Sequence, residues 1–200
     1  MTADQAIAFF IFAVVAAVTP GPSNVLLTAT GAQAGLLRGL PCLFGVSAGM
    51  GAMMALGAYG FGHVVAASPQ FALVMKLCGA AFLLWLAWKI AATPVRSDEA
   101  VPAPEPAGFF AAAGLQWVNP KAWLVSTGAV AAYLPAGSGG SLPQALVFAL
   151  VFVAAALPSG FVWLAFGVAA QRLLRQPRHQ RVFNILMGLT LAASVAIILR

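Results

Sequence analysis

Long apolar runs separated by short basic or proline-rich stretches make up this chain, and the first run is interrupted near its middle. From Gln5 to Leu37 there is no charged residue, 37 − 5 + 1 = 33 positions, whereas a membrane-spanning helix needs roughly 20 apolar residues. Inside that run stands Thr19-Pro20-Gly21-Pro22-Ser23-Asn24. Prolines there remove backbone donors and stop the incoming helix, and bare backbone at membrane depth is tolerated only where protein or a water-filled cavity meets it. A broken helix, and with it a candidate site, is predicted. The remaining runs predict a second span over about Leu40 to Gly62, a third over Gln70 to Ile90, a fourth over Gly108 to Leu134, a fifth over Gln144 to Ala170 and a sixth over Val182 to Leu199. The fourth is interrupted at Asn119-Pro120-Lys121.

Between the spans lie a turn at His63, Ser68 and Pro69, a linker over 93–107 (TPVRSDEAVPAPEPA) and a glycine-rich loop over 135–143. Six spans put both termini on one side. The loops after spans one, three and five hold Arg38, Lys89, Arg96 and the arginines at 172, 175, 178 and 181, while the opposite side holds little beyond Lys76 and Arg200. Basic residues in short loops mark the cytoplasmic face, so both termini are expected in the periplasm and the linker in the cytoplasm. The arginine run reads as a topology anchor, with an anionic-lipid surface as the other reading. Trp85, Trp88 and Lys89 close the third span as an interfacial belt. Gly45 and Gly49, at the spacing that lets helix backbones approach, are expected to pack within one subunit rather than in a dimer seam.

Composition agrees. The chain is 62% hydrophobic and 7% charged in 200 residues, with mean hydropathy +0.96, which excludes an ordinary soluble domain and makes residues 1–200 a single membrane domain. A net charge of +6 spread between apolar runs orients spans and makes no nucleic-acid patch. Cys42 and Cys78 lack metal or redox spacing and read as small hydrophobes. The absence of a basic residue before the first run argues against a cleaved signal. No nucleophile-and-base pair, metal-ligand set or cofactor motif stands in the chain, and its two histidines fall at span ends, so neither an enzyme nor a cofactor-binding protein is expected.

The two interruptions share a grammar. Thr19-Pro20 and Asn119-Pro120 each set a favoured N-cap residue before proline in the favoured first helical position, 120 − 20 = 100 residues apart in a chain of 200. Three spans per half put the second half into the membrane from the opposite face: an all-α membrane protein of six helices in two inverted repeats, about 5–92 and 108–199, with helices 1 and 4 broken near the midplane. In such folds the half-helix N-termini aim free N–H groups at an anion. The spans contain no Asp or Glu, so a cationic substrate side chain would find no charged partner, whereas a zwitterion fits. Its carboxylate would meet the N-termini at Pro20 and Pro120 and Lys121, and its ammonium the open carbonyls that end each first half-helix. Ser23, Asn24, Thr28, Gln116, Asn119, Ser126 and Thr127 are the candidate polar lining; for Ser126 and Thr127, bonding along their own helix is the expected alternative. Lys121 reads either as a substrate contact or as a structural cation. Trp117 and Trp123 either shape the cavity or pack.

These residues also carry a resemblance. TPGPSNVLL, then Gly35-Leu36-Leu37-Arg38-Gly39-Leu40, MKLCGAAFLLWLAWK at 75–89 and QWVNPKAWL at 116–124 together resemble the LysE/RhtB family of bacterial amino-acid exporters over nearly the whole chain. The resemblance implies an inner-membrane exporter of amino acids or close derivatives, driven by the proton gradient. It carries the family's motif positions onto Pro20, Gly21, Pro22, Asn24, Gly35, Arg38, Gly39, Asn119, Pro120 and Lys121. Ser23 stands where many relatives have Asn or Asp, and Phe82 where the third span often has Tyr. These departures leave the family resemblance intact without indicating a substrate; the absence of membrane carboxylates makes neutral or sulfur-containing amino acids the expected ones. The site residues are then Thr19, Pro20, Gly21, Pro22, Ser23, Asn24, Gln116, Asn119, Pro120 and Lys121. A channel-like or structural subunit, or an exporter of basic amino acids, is the competing reading. Proton coupling has no membrane carboxylate to rest on, which leaves His63 and Lys121 as titratable candidates. The bilayer and a small-molecule substrate are the expected partners, and a homo-oligomer is compatible with the sequence.

Overall fold

The structure is a computed structural model that describes residues 2–61, 69–93, 105–134, 141–173 and 176–199. The expected turn at His63 to Ser68, Arg96, Arg175, Arg200, most of the 93–107 linker and most of the 135–143 loop lie outside the described residues. Among the described residues there are helices and no strand: α1 Ala3–Val18, α2 Pro22–Leu56 running into a wide π-turn at Gly57–Phe61, α3 Pro69–Ala91, α4 Phe109–Val118, α5 Pro120–Tyr133, α6 Leu142–Leu173 and α7 Pro177–Leu199.

α2 is two helices. A straight α-helix would separate Thr30 from Cys42 by 12 × 1.5, or about 18 Å, yet the Thr30 hydroxyl lies 3.7 Å from the Cys42 thiol. The chain folds back at Gly35, whose φ of 80° and ψ of −178° lie in a left-handed region that costs a residue with a Cβ. Residues 22–34 and 36–56 are therefore the antiparallel arms of a hairpin. The expected loop around Arg38 is this single-residue turn, and Arg38 is already helical. α7 likewise begins at Pro177 instead of near Val182, which puts Arg178 and Arg181 on its first turns. Proline in the first helical position, where no donor is needed, explains the earlier start.

Close backbone contacts hold the helices together. A methyl group at Gly45 would strike the Phe109 carbonyl, and one at Gly49 would stand 2.7 Å from the Ala113 carbonyl. The Gly45/Gly49 stripe thus seats α4 on the second arm of α2, inside one chain. On the other side the first arm crosses α6, where Gly31 meets the Leu164 carbonyl and Gly167 that of Thr28. α1 and α6 pack together, as do α3 and α7.

Two apolar cores result. One gathers Leu27, Cys42, Leu43, Leu83, Leu115, Leu164 and Leu191. The other gathers Phe9, Met50, Met54, Ala122, Phe148 and Phe152. Large apolar side chains also cover the outside, among them Leu37, Trp88, Phe110, Leu124, Leu150 and Val162. So many exposed large apolar side chains suit lipid better than water. α6, with 32 residues, is about 48 Å long at 1.5 Å per residue, more than enough to cross a hydrocarbon core of roughly 30 Å.

Candidate substrate-binding site

The polar residues that the cores leave over collect where α1 gives way to α2 and α4 to α5. Thr19 does not cap the following helix, as its position before proline suggested. It closes α1, its amide 3.0 Å and its hydroxyl 2.6 Å from the Val15 carbonyl. Pro20 lies outside both helices, Gly21 is extended and is the N-cap of α2, and Pro22 takes the first helical position. The second of the two prolines, not the first, starts the helix. Since Gly21 has no side chain, no side-chain oxygen caps the α2 N-terminus, and the first-turn amides point their positive end into the site.

The second interruption is shorter. Asn119 is both the C-cap of α4 and the N-cap of α5, its side-chain oxygen accepting from the Lys121 amide at 3.1 Å, with Pro120 in the first helical position. The amides of Ala122 and Trp123 reach the Asn119 carbonyl. Two open N-termini were expected; only that of α2 lacks a side-chain cap, because Asn119 serves the other.

A chain of hydrogen bonds ties the interruptions together. The Asn119 side-chain amide donates to the Ser23 hydroxyl at 3.1 Å, which donates to the Gln116 side-chain oxygen at 2.9 Å, whose amide donates to the Ala112 carbonyl at 3.1 Å. Gln116 and Asn119 are buried at 0% and 2% exposure, where an unpaired amide would cost about 1–3 kcal/mol. The carbonyls that end α1 are also occupied. The Asn24 amide donates to Ala17 at 3.1 Å and to Thr19 at 2.9 Å, and the Lys121 ammonium donates to the carbonyls of Thr19 and Pro20. Gly21 makes room for this, since a methyl there would lie 2.7 Å from Lys121 Cδ.

Ser23, Asn24, Gln116, Asn119 and Lys121 line a cavity of about 50 Å³, room for about four waters. The side chains of Thr19, Pro20, Pro22 and Pro120 do not line it; the Thr19 and Pro20 carbonyls meet it through the Lys121 ammonium they hold. The apolar wall comes from residues that sequence reasoning did not single out, among them Val46, Met50, Phe152 and Gly160. The Pro158-Ser159-Gly160 step inside α6 was the available signal for the last. Thr28 is turned away, its hydroxyl 3.3 Å from the Trp163 carbonyl. Ser126 does not bond along its own helix but donates to Met53 on α2 at 3.1 Å, whereas Thr127 does return to Trp123 at 2.8 Å. Trp123 donates to the Trp117 carbonyl at 2.7 Å and its ring meets that of Trp117 edge-on; both pack against the core around Phe9 and Phe148. No carboxylate lines the cavity, and among the described residues no three His, Cys, Asp or Glu side chains gather as a metal site.

Among the described residues the chain is helical, and its apolar exterior and the polar cavity where α1 meets α2 and α4 meets α5 suit a membrane transport protein. The profile of the LysE type translocator family matches residues 14–199, and the chain belongs to that family. It is a transporter and not an enzyme. Among similar proteins, the cysteine/O-acetylserine efflux protein of Salmonella typhimurium (strain LT2) is 32% identical over 188 residues, 92% of each chain. The protein of that name from Klebsiella pneumoniae is 37% identical over 134 residues, 67% of each chain. That from Escherichia coli O1:K1 is 30% identical over 197 residues, 96% of this chain and 95% of the relative. No solved structure matches the chain significantly.

Proposed function

We propose that this transporter exports small neutral amino acids, sulfur-containing ones and close derivatives foremost, across the bacterial inner membrane, and that the substrate binds as a zwitterion between the two interruptions. The observation that carries the reading is the Asn119–Ser23–Gln116 chain of hydrogen bonds beside a cavity with no carboxylate. Such a site offers a positive pole, made by the α2 N-terminus and Lys121, and a negative one, made by the α1 carbonyls. Lys121 itself sits on the negative pole. A substrate ammonium taking over the carbonyls of Thr19 and Pro20 would release the Lys121 ammonium toward the substrate carboxylate, so the two cations exchange places. The small cavity favours small side chains, and the names of the relatives point the same way.

In this reading the chain is one transport domain. Its spans are α1 with residues 22–34, residues 36–56 and α3, then α4 with α5, α6 and α7, so that repeats over about 5–92 and 108–199 are inverted around a cytoplasmic linker with both termini periplasmic. Two hydrogen bonds support the symmetry: the hydroxyl of Thr28, after the first interruption, reaches α6, and that of Ser126, after the second, reaches α2. Export is coupled to proton entry, with Lys121 the titratable group in the cavity. The test is counterflow in proteoliposomes with labelled neutral, sulfur-containing and basic amino acids. Saturable movement of cysteine or O-acetylserine, lost in Asn119→Ala, is expected. Movement of lysine and arginine alone would overturn the zwitterion site, and flux that never saturates would mean a channel.

A further inference from the structure

A second and larger cavity, of about 270 Å³, opens where α3 ends and the chain returns to α4, between those helices and the first arm of α2. Lys89 and Glu105 both line it. Of the four acidic residues in the chain, Glu105 lines this cavity and none lines the central one. The two opposite charges do not satisfy each other, since among the described residues neither takes part in an ion pair. The Lys89 ammonium instead lies over the Trp85 ring, 5.1 Å from its centroid, which steadies the cation without neutralising it. Gln33 and Thr93 add polar groups to the same wall, the Gln33 amide 3.3 Å from the Thr93 hydroxyl, which in turn donates to the Lys89 carbonyl at 3.0 Å and so fixes the end of α3.

We propose that this cavity is a second amino-acid-binding site, a loading vestibule in which Lys89 takes the carboxylate and Glu105 the ammonium of a zwitterion before it reaches the central cavity. Separated charges of both signs on one wall select a molecule that carries both and disfavour simple anions and simple cations, each of which meets one repulsive partner. The central cavity has no acid, so the vestibule supplies a carboxylate contact that the central cavity lacks. Because the vestibule is wider than the central cavity, it discriminates by head group and leaves size selection to the deeper site.

The inference rests on the amino-acid export reading, and binding separates the two. Equilibrium binding of labelled L-cysteine under reducing conditions to the purified full chain should give two molecules per chain. The Asn119→Ala variant should keep one, and the double variant K89Q/E105Q should keep the other, with a KM for export raised roughly tenfold and an unchanged maximal rate. The charge-swapped K89E/E105K should regain the second molecule, and cysteamine, which lacks the carboxylate, should not compete at the vestibule. A single bound cysteine in the wild type, with unchanged KM in K89Q/E105Q, would overturn the vestibule and leave the export reading intact. Neither binding nor export of any amino acid would overturn the export reading itself.

Discussion

The side-chain amide of Asn119 donates to the hydroxyl of Ser23 across 3.1 Å, joining two helix interruptions 96 residues apart in sequence. Ser23 is the narrowest point of that connection, since it accepts from one interruption and donates to Gln116, one turn before it. A hydroxyl can do both at once, which neither a carboxylate nor a methyl can.

Ser23→Ala should therefore strand the Asn119 amide and the Gln116 oxygen in a buried setting, at a cost of about 1–3 kcal/mol. Thermal unfolding in detergent should show the loss, and initial export rates should fall at least tenfold. A variant with wild-type stability and export would mean that the three side chains act independently.

Replacing Pro20 and Gly21 together by Ala restores helix-forming residues to the first interruption and puts a methyl group against the Lys121 stem. The protein should still reach the membrane, because its apolar surface is unchanged, while transport should drop to background. Fractionation and counterflow on the same cells check both halves; normal export would rule out the interruption as part of the site.

Lys121→Met keeps the apolar stem and removes the ammonium from the carbonyls of Thr19 and Pro20. Substrate affinity should fall about tenfold or more, as for the loss of a charged hydrogen-bond partner. Export should also lose its response to an imposed pH gradient across proteoliposomes, whereas wild-type export should rise when the side that receives substrate is made acidic. A variant that still follows the gradient would take the proton-carrying role away from Lys121.

Gly35→Ala should destabilise the hairpin by about 1–2 kcal/mol, because a Cβ is costly at a φ of 80°. Gly114→Ala is the matched control: it lies within α4 with no atom near its added methyl, so it should be neutral or stabilising by up to about 1 kcal/mol. Equal melting temperatures for the two variants would contradict the fold-back at Gly35.

The helix breaks were legible because proline and glycine constrain the backbone directly. Pro22, Pro120 and the run between Thr19 and Asn24 announced where helices must stop, and the scarcity of carboxylates limited what the cavity could hold. Asn119 was read correctly as an N-cap, since its side chain acts on the amide two residues away. Thr19 was misread because two prolines offered two places to start the helix, and only packing against Lys121 and Asn24 decided between them. The wall residues Met50 and Phe152 gave no signal, being apolar residues in apolar helices like most of the chain.

By itself the sequence determined the helical class, the positions of the interruptions and the family, because these depend on local backbone chemistry and on motifs contiguous in the chain. The tertiary structure alone decided which polar groups meet. It placed Ser23 between Asn119 and Gln116, set the Lys121 ammonium on carbonyls that looked open, and turned Thr28 and Ser126 toward neighbouring helices. Those pairings follow from how glycine-lined helix faces dock, a relation between distant segments that no local pattern encodes.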